Sequence, residues 1–140
     1  MPANTSPISP IAPATSWQAN SPTLTANTAM DGTGAINVIH TAGANGSRVG
    51  RIRVQPWGTN ADTNIRFFVN NGSTNTTAGN NSLINETYID GTTKTENTAW
   101  YIAYDIPLNI VMKPGYRLFY TTGTTIAAGL AVTCVDAGDY

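Results

Sequence analysis

Residues 49–57, VGRIRVQPW, decide the fold class. Read with a period of two, Ile52 and Val54 fall on one side, and Val49, Arg51, Arg53, Gln55 and Trp57 on the other. Such a segment is a strand with one face toward a core and one toward water or a partner. Residues 65–70, IRFFVN, repeat the pattern, with Ile65, Phe67 and Val69 on one face and Arg66 and Phe68 on the other.

Working outward, the chain alternates short β-rich runs with turn clusters about every 8 to 15 residues, the spacing of a sandwich or barrel. Runs 23–30 and 35–41 flank Asp31-Gly32-Thr33-Gly34, which predicts a hairpin because Gly tolerates positive φ. Runs 82–89 and 99–106 are the next strands, the second with Trp100, Ile102, Tyr104 and Ile106 in register. Runs 108–112 and 116–121 are joined by Lys113-Pro114-Gly115, where Pro presets φ and Gly supplies a positive-φ position. Run 126–135, with Leu130, Val132 and Cys134 on one face, closes the series. Residues 71–81, NGSTNTTAGNN, read as an exposed excursion. Eight or nine strands with Gly/Asn-rich connections predict an all-β fold, a two-sheet β-sandwich of jelly-roll type. An up-and-down barrel fits the same spacings.

Composition agrees. Among 140 residues there are 22 Thr and 15 Asn but only 2 Lys and 2 Glu; Thr favours strands, Asn favours turns, and the usual helix-surface residues are scarce. A chain of this length builds one core without staples. With 11% charged residues it has few charges to guard sheet edges, which points to edges or a face covered by other subunits.

Residues 1–22 are read as a separate extended arm and 23–140 as the folded domain. The arm carries Pro2, Pro7, Pro10, Pro13 and Pro22 and shows no sustained period, so it is expected to extend away from its own chain. A solvated tail is one reading. Ile8, Ile11 and Trp17, spaced as apolar anchors, favour an arm that docks on a neighbour.

The net charge of −1 gives no reason to expect direct nucleic-acid binding, which needs clustered positive charge. No apolar run reaches the roughly 20 residues of a membrane helix, and the first residues lack the pattern of a secretory signal. The sequons Asn45-Gly46-Ser47 and Asn75-Thr76-Thr77 are then by-products of composition. A lone Cys134 and a lone His40 supply neither a disulfide nor a His-based metal cluster, so no cofactor or metal is expected. The eight carboxylates fall mostly in turns or at strand ends, without a motif for paired acid/base work, so no catalytic residue is assigned and the chain is read as a non-enzyme. His40 reads as a structural hydrogen-bonder and Cys134 as a buried small residue. Arg48, Arg51 and Arg53 form the one positive concentration. Arg51 and Arg53 share a face with Trp57, a combination that interfaces favour, and these three are the candidate binding face.

Residues 41–54 (TAGANGSRVGRIRV), 67–81 (FFVNNGSTNTTAGNN), 113–118 (KPGYRL) and 135–140 (VDAGDY) resemble small β-sandwich virion proteins of tailed bacteriophages, most closely capsid decoration, or cement, proteins. The resemblance implies a structural protein on the outer surface of the capsid. Its partners would be the major capsid protein and itself, as a homotrimer. Tail-fibre or baseplate domains share similar sandwiches, and a carbohydrate- or receptor-binding module is the alternative from a different class.

Overall fold

The computed structural model describes residues 12–13, 17–18, 24–93, 95 and 103–140. The described residues form nine strands and one 3-10 turn: β1 (Ala12–Pro13), β2 (Trp17–Gln18), β3 (Asn37–Thr41), β4 (Ser47–Pro56), β5 (Thr63–Asn70), the turn Ala78–Asn80, β6 (Asn81–Ile89), β7 (Tyr104–Met112), β8 (Arg117–Thr122) and β9 (Leu130–Asp139). They make two antiparallel sheets, as the all-β composition required. One has the order β1-β9-β4-β7 with β2 also on β9, and the other β3-β8-β5-β6. Among the described strands only β5 and β6 are both consecutive and paired, whereas an up-and-down barrel needs consecutive neighbours throughout.

One apolar core fills the space between the sheets. Val49, Ile52, Val54, Val132 and Cys134 come from one sheet, and Ile65, Phe67, Leu118 and Tyr120 from the other, all fully buried. The tilted pair Phe67 and Tyr120, 6.2 Å between ring centres, joins the two middle strands of the second sheet. Burying each such large side chain stabilises by about 1.5–3 kcal/mol.

The expected hairpin around residues 31–34 does not form. β3 pairs with β8 instead, and residues 24–36 run as a loop with one β-bridge, between Leu24 and Ile126. Asn27 removes the need for a partner strand: its Nδ2 donates to the carbonyls of Thr33 and Ala35, both at 2.7 Å, and its Oδ1 accepts the Ala29 N–H. This loop covers the second sheet's outer face. Asn27 N–H bonds to Thr122 O at one side of that sheet, and Asn81 and Asn75 donate to the carbonyls of Asp31 and Gly34 at the other. Gly32 lies so close that a Cβ would sit 3.0 Å from the Phe68 ring. Beneath it Phe68 and Phe119 stack at 5.2 Å. The face expected to carry Arg66 and Phe68 outward is therefore buried, Arg66 included.

Residues 71–81 are exposed as expected, yet they are ordered by amides. Buried Asn70 accepts hydrogen bonds from Gly72 N and from Arg117 Nε and Nη2, and donates to Asn81 Oδ1. Asn71 and Asn80 bond to each other, and Asn80 also reaches Thr74 O.

Three further expectations are corrected. Pro107 does not separate two strands: β7 runs unbroken through it, because β7 is the edge of its sheet and an edge strand tolerates a missing N–H. β9 begins at Leu130 rather than at 126 and continues through Asp139, with Gly138 and Asp139 paired to Arg48 and Ser47. Within the first 22 residues, β1 and β2 pair with β9 of the same chain, Ala12 opposite Asp139 and Trp17 opposite Thr133. At those four residues the chain supplies its own sheet's edge rather than extending away. Ile8, Ile11, Trp100 and the expected start of a strand at 99–102 lie outside the described residues.

Val49 also changes face. It belongs to the core together with Ile52, so two residues rather than one separate consecutive inward side chains on β4. β9 makes the same slip between Cys134 and Ala137, and the β4–β9 pairing stays regular across it. β7 keeps its alternation and accommodates the slip with a bulge, since Val49 faces Ile110 while Arg51 faces Pro107. The kink has a backbone signature. Asn109 at φ 50° and Asp136 at φ 55° are the non-glycine residues with positive φ among the described residues, and Asn and Asp tolerate that region best. Between them Gly50 leaves little room for a side chain, because a Cβ would lie 3.1 Å from Asp136 O.

Candidate functional site: an arginine–aspartate sheet face

The outer face of β4 collects the candidate residues. Alternation after the kink points Arg51 and Arg53 away from the core. Register then sets Asp105 of β7 opposite Arg53, and the two join by a bidentate pair, Nε to Oδ1 and Nη2 to Oδ2, both 2.9 Å. Arg51 donates from Nε to Asp136 Oδ2 at 3.0 Å and brings Nη1 to 3.8 Å from Asp105 Oδ2. Asp105 thus bridges both arginines. Its carboxyl is held below the usual range, first by the hydrogen bonds from Arg53 and then by the charges of Arg53 and Arg51. These side chains are 40–70% exposed, so the ladder contributes little to stability and mainly fixes where charge is presented.

Where the kink crosses the face there is an open concavity of about 550 Å³, lined by Arg48, Gly50, Arg51, Pro107, Asn109, Asp136 and Ala137. Arg48 and Asn109 are exposed there, and among the described residues neither side chain forms an ion pair or hydrogen bond. The arrangement is suited to recognition: guanidiniums held in position by carboxylates, beside a depression on a rigid sheet.

The expected trio is only partly assembled. Arg51 and Arg53 are joined through Asp105. Trp57 lies one residue beyond β4, 44% exposed, in a loop where its N–H bonds to Gly129 O and its carbonyl accepts from Asn60 Nδ2. Trp17 is placed only by its pairing with Thr133. Sequence reasoning missed Asp105 and Asp136, which read as turn formers, because their roles depend on cross-strand register and on a kink that no local pattern announces.

A second cluster looks chemical but is wired otherwise. His40 Nε2 lies 2.9 Å from Ser47 Oγ, and Ser47 in turn donates to Asp139 Oδ1. In a nucleophilic triad the histidine takes the serine proton and the carboxylate orients the histidine. Here the carboxylate itself takes the serine hydrogen bond, and Ser47 is fully buried. Gly43 N–H adds bonds to Ser47 Oγ and Asp139 Oδ1, both 3.3 Å. The cluster is a staple tying β3 of one sheet to β4 and β9 of the other, the structural role expected of His40. Asp139 is correspondingly held below the usual carboxylate range, chiefly by Ser47. Burial pushes the Cys134 thiol up to about 12, which makes it inert, consistent with its reading as a buried small residue.

Among the described residues no group of three His, Cys, Asp or Glu side chains is placed to hold a metal ion, and no helix is long and apolar enough to cross a membrane. No family model, curated protein or solved structure matches the chain.

Proposed function

We propose that this chain is a structural virion protein, a capsid decoration or cement protein that binds and braces the outer surface of a tailed-phage head as a homotrimer. The observation that carries the reading is the β4 face, where Arg51, Arg53, Asp105 and Asp136 form a pre-set, solvent-facing charged surface on a rigid sheet. Interfaces favour Arg held in this way, and a specific interface needs roughly 1,200–2,000 Å², an area that a sheet face and an extended segment supply together. Symmetric copies multiply weak contacts.

The same reading takes the fold to be a jelly roll. A five-stranded layer, β1-β9-β4-β7 with β2 also on β9, and a four-stranded one, β3-β8-β5-β6, with most connections passing between sheets, support it. In this reading Ile8 and Ile11 dock on the neighbouring shell while Trp17 stays paired with β9 of its own chain, and the major capsid protein is the partner. Half-exposed Tyr88, bonded to Asp62, and exposed Trp57 favour a second reading, a tail-fibre, baseplate or carbohydrate-binding receptor module.

Quantitative mass spectrometry of purified particles separates the two. Copy numbers comparable to the major capsid subunit support the shell role, a handful of copies moves the chain to the tail, and none rejects a virion role. Arg51→Ala with Arg53→Ala is expected to lower shell occupancy; unchanged occupancy and oligomer mass would remove this face from the interface.

A further inference from the structure

We propose that the concavity beside Arg48 is a carboxylate-binding notch whose occupant is an Asp or Glu side chain of an acidic protein segment. The inference rests on the reading of the β4 face as a docking surface and names the chemistry of what docks there.

The charge balance of the notch is specific. Arg53 is matched by a bidentate carboxylate, and Arg51 is matched through Nε. Arg48, the third guanidinium on the face, is exposed and has no ion-pair or hydrogen-bond partner among the described residues. Three guanidiniums against Asp105 and Asp136 leave one surplus positive charge. A monovalent carboxylate neutralises that surplus and fits the guanidinium fork, with the Asn109 amide, which lines the notch and has no partner among the described residues, as a further donor. A dianionic phosphate is disfavoured, because its second charge would face the exposed Asp136 carboxylate.

The backbone shows that the notch is built. The parity slip shared by β4 and β9, the bulge on β7, and the left-handed residues Asn109 and Asp136 meet at this one place. Gly50 lines it, and a Cβ there would press on Asp136 at 3.0–3.1 Å. Backbone conformations of this kind cost energy and persist where the surrounding structure fixes them.

The test uses the full chain, isotopically labelled, with backbone amides followed by NMR. The probe is a capped peptide, acetyl-Gly-Glu-Gly-Glu-Gly-amide, beside its Gln counterpart, inorganic phosphate and a ten-residue oligothymidylate. The Glu peptide is expected to shift the Gly50, Asn109 and Ala137 amides saturably, with a Kd on the order of millimolar. The Gln peptide should leave them in place, and Arg48→Gln should weaken the Glu peptide at least tenfold with the spectrum otherwise preserved. Equal shifts from both peptides, no shifts, or an undiminished response in Arg48→Gln would overturn the proposal. Tighter binding of phosphate or oligothymidylate at the same amides would overturn it in favour of a phosphate site. Shell occupancy separates this proposal from the reading beneath it. If Arg51→Ala with Arg53→Ala loses occupancy while the peptide does not bind, the docking face stands and its carboxylate chemistry falls. If the peptide binds and occupancy is unchanged, the notch stands as a carboxylate site and the docking face falls.

Discussion

Asn70→Ala should be the most damaging single polar substitution in the second sheet. The residue is fully buried at the end of β5. Its Oδ1 accepts Gly72 N–H at 2.9 Å and Arg117 Nε and Nη2 at 3.1 and 2.8 Å, while its Nδ2 donates to Asn81 Oδ1 at 2.9 Å. Losing the two neutral bonds costs about 1 kcal/mol each, and losing the charge-assisted contact about 1.5 kcal/mol. Arg117 is not stranded, since it also donates to Ser73 O, and this keeps the total near ~3.5 kcal/mol. With an unfolding entropy of about 2.1 cal/mol/K per residue, a chain of 140 residues loses ~12 °C of Tm for that change. Calorimetry or circular dichroism melts read the shift. The control is Asn71→Ala next door, an exposed residue whose two bonds, to Asn80 Oδ1 and from Ser73 N–H, are open to water; it should cost under ~1 kcal/mol. If Asn70→Ala falls by less than ~3 °C, or no further than Asn71→Ala, the amide lock is not what orders residues 71–81.

Three further outcomes follow from partly or fully buried groups. Asp139 is held below its ordinary 3.8 by Ser47, so its contribution is present above that value and lost as pH falls through the lower folded value; the gap in stability between the wild type and Asp139→Asn should be open at pH 6 and shut in strong acid, and a gap independent of pH refutes the staple. Cys134 should resist thiol reagents at pH 8 in the native state and react once the chain is unfolded in guanidinium; rapid stoichiometric labelling of the folded protein contradicts its burial. Tyr120 has a fully buried hydroxyl without a hydrogen-bond partner among the described residues, so Tyr120→Phe should equal the wild type or exceed it by up to ~1 kcal/mol in denaturant unfolding; a loss larger than ~1 kcal/mol would reveal a bound partner for the hydroxyl.

The period-two runs in residues 49–57 and 65–70 were enough to read strands and an apolar core, and both form as strands there. Pairing was not legible. The Asp31–Gly34 turn has a hairpin's residues, and Gly32 and Gly34 take positive φ, yet the strand-like run before it is satisfied by the side chain of Asn27. A turn's composition fixes local dihedral angles and says nothing about which strands reach each other. Likewise Asn in residues 71–81 signals turns whether its amide faces water or locks a loop, and only the position of Asn70 beside Arg117 separates the two.

The candidate site shows the same division more sharply. Strict alternation put Val49 on the face of Arg51, and that error marks the position of the kink. Val49 and Ile52 are both apolar and both fully buried, which a uniform strand cannot manage. The only local hint is Gly50 between them, since an isolated glycine in a strand marks a bulge or a close backbone approach. The matching hints on neighbouring strands are Asn109 after Pro107 and Asp136 after Val135, each a polar residue suited to left-handed backbone within an otherwise β-like run. None of the three is informative alone. Antiparallel register brings them side by side, and the depression beside Arg48 lies where the slips of alternation on β4 and β9 and the bulge on β7 fall on the same line across the sheet.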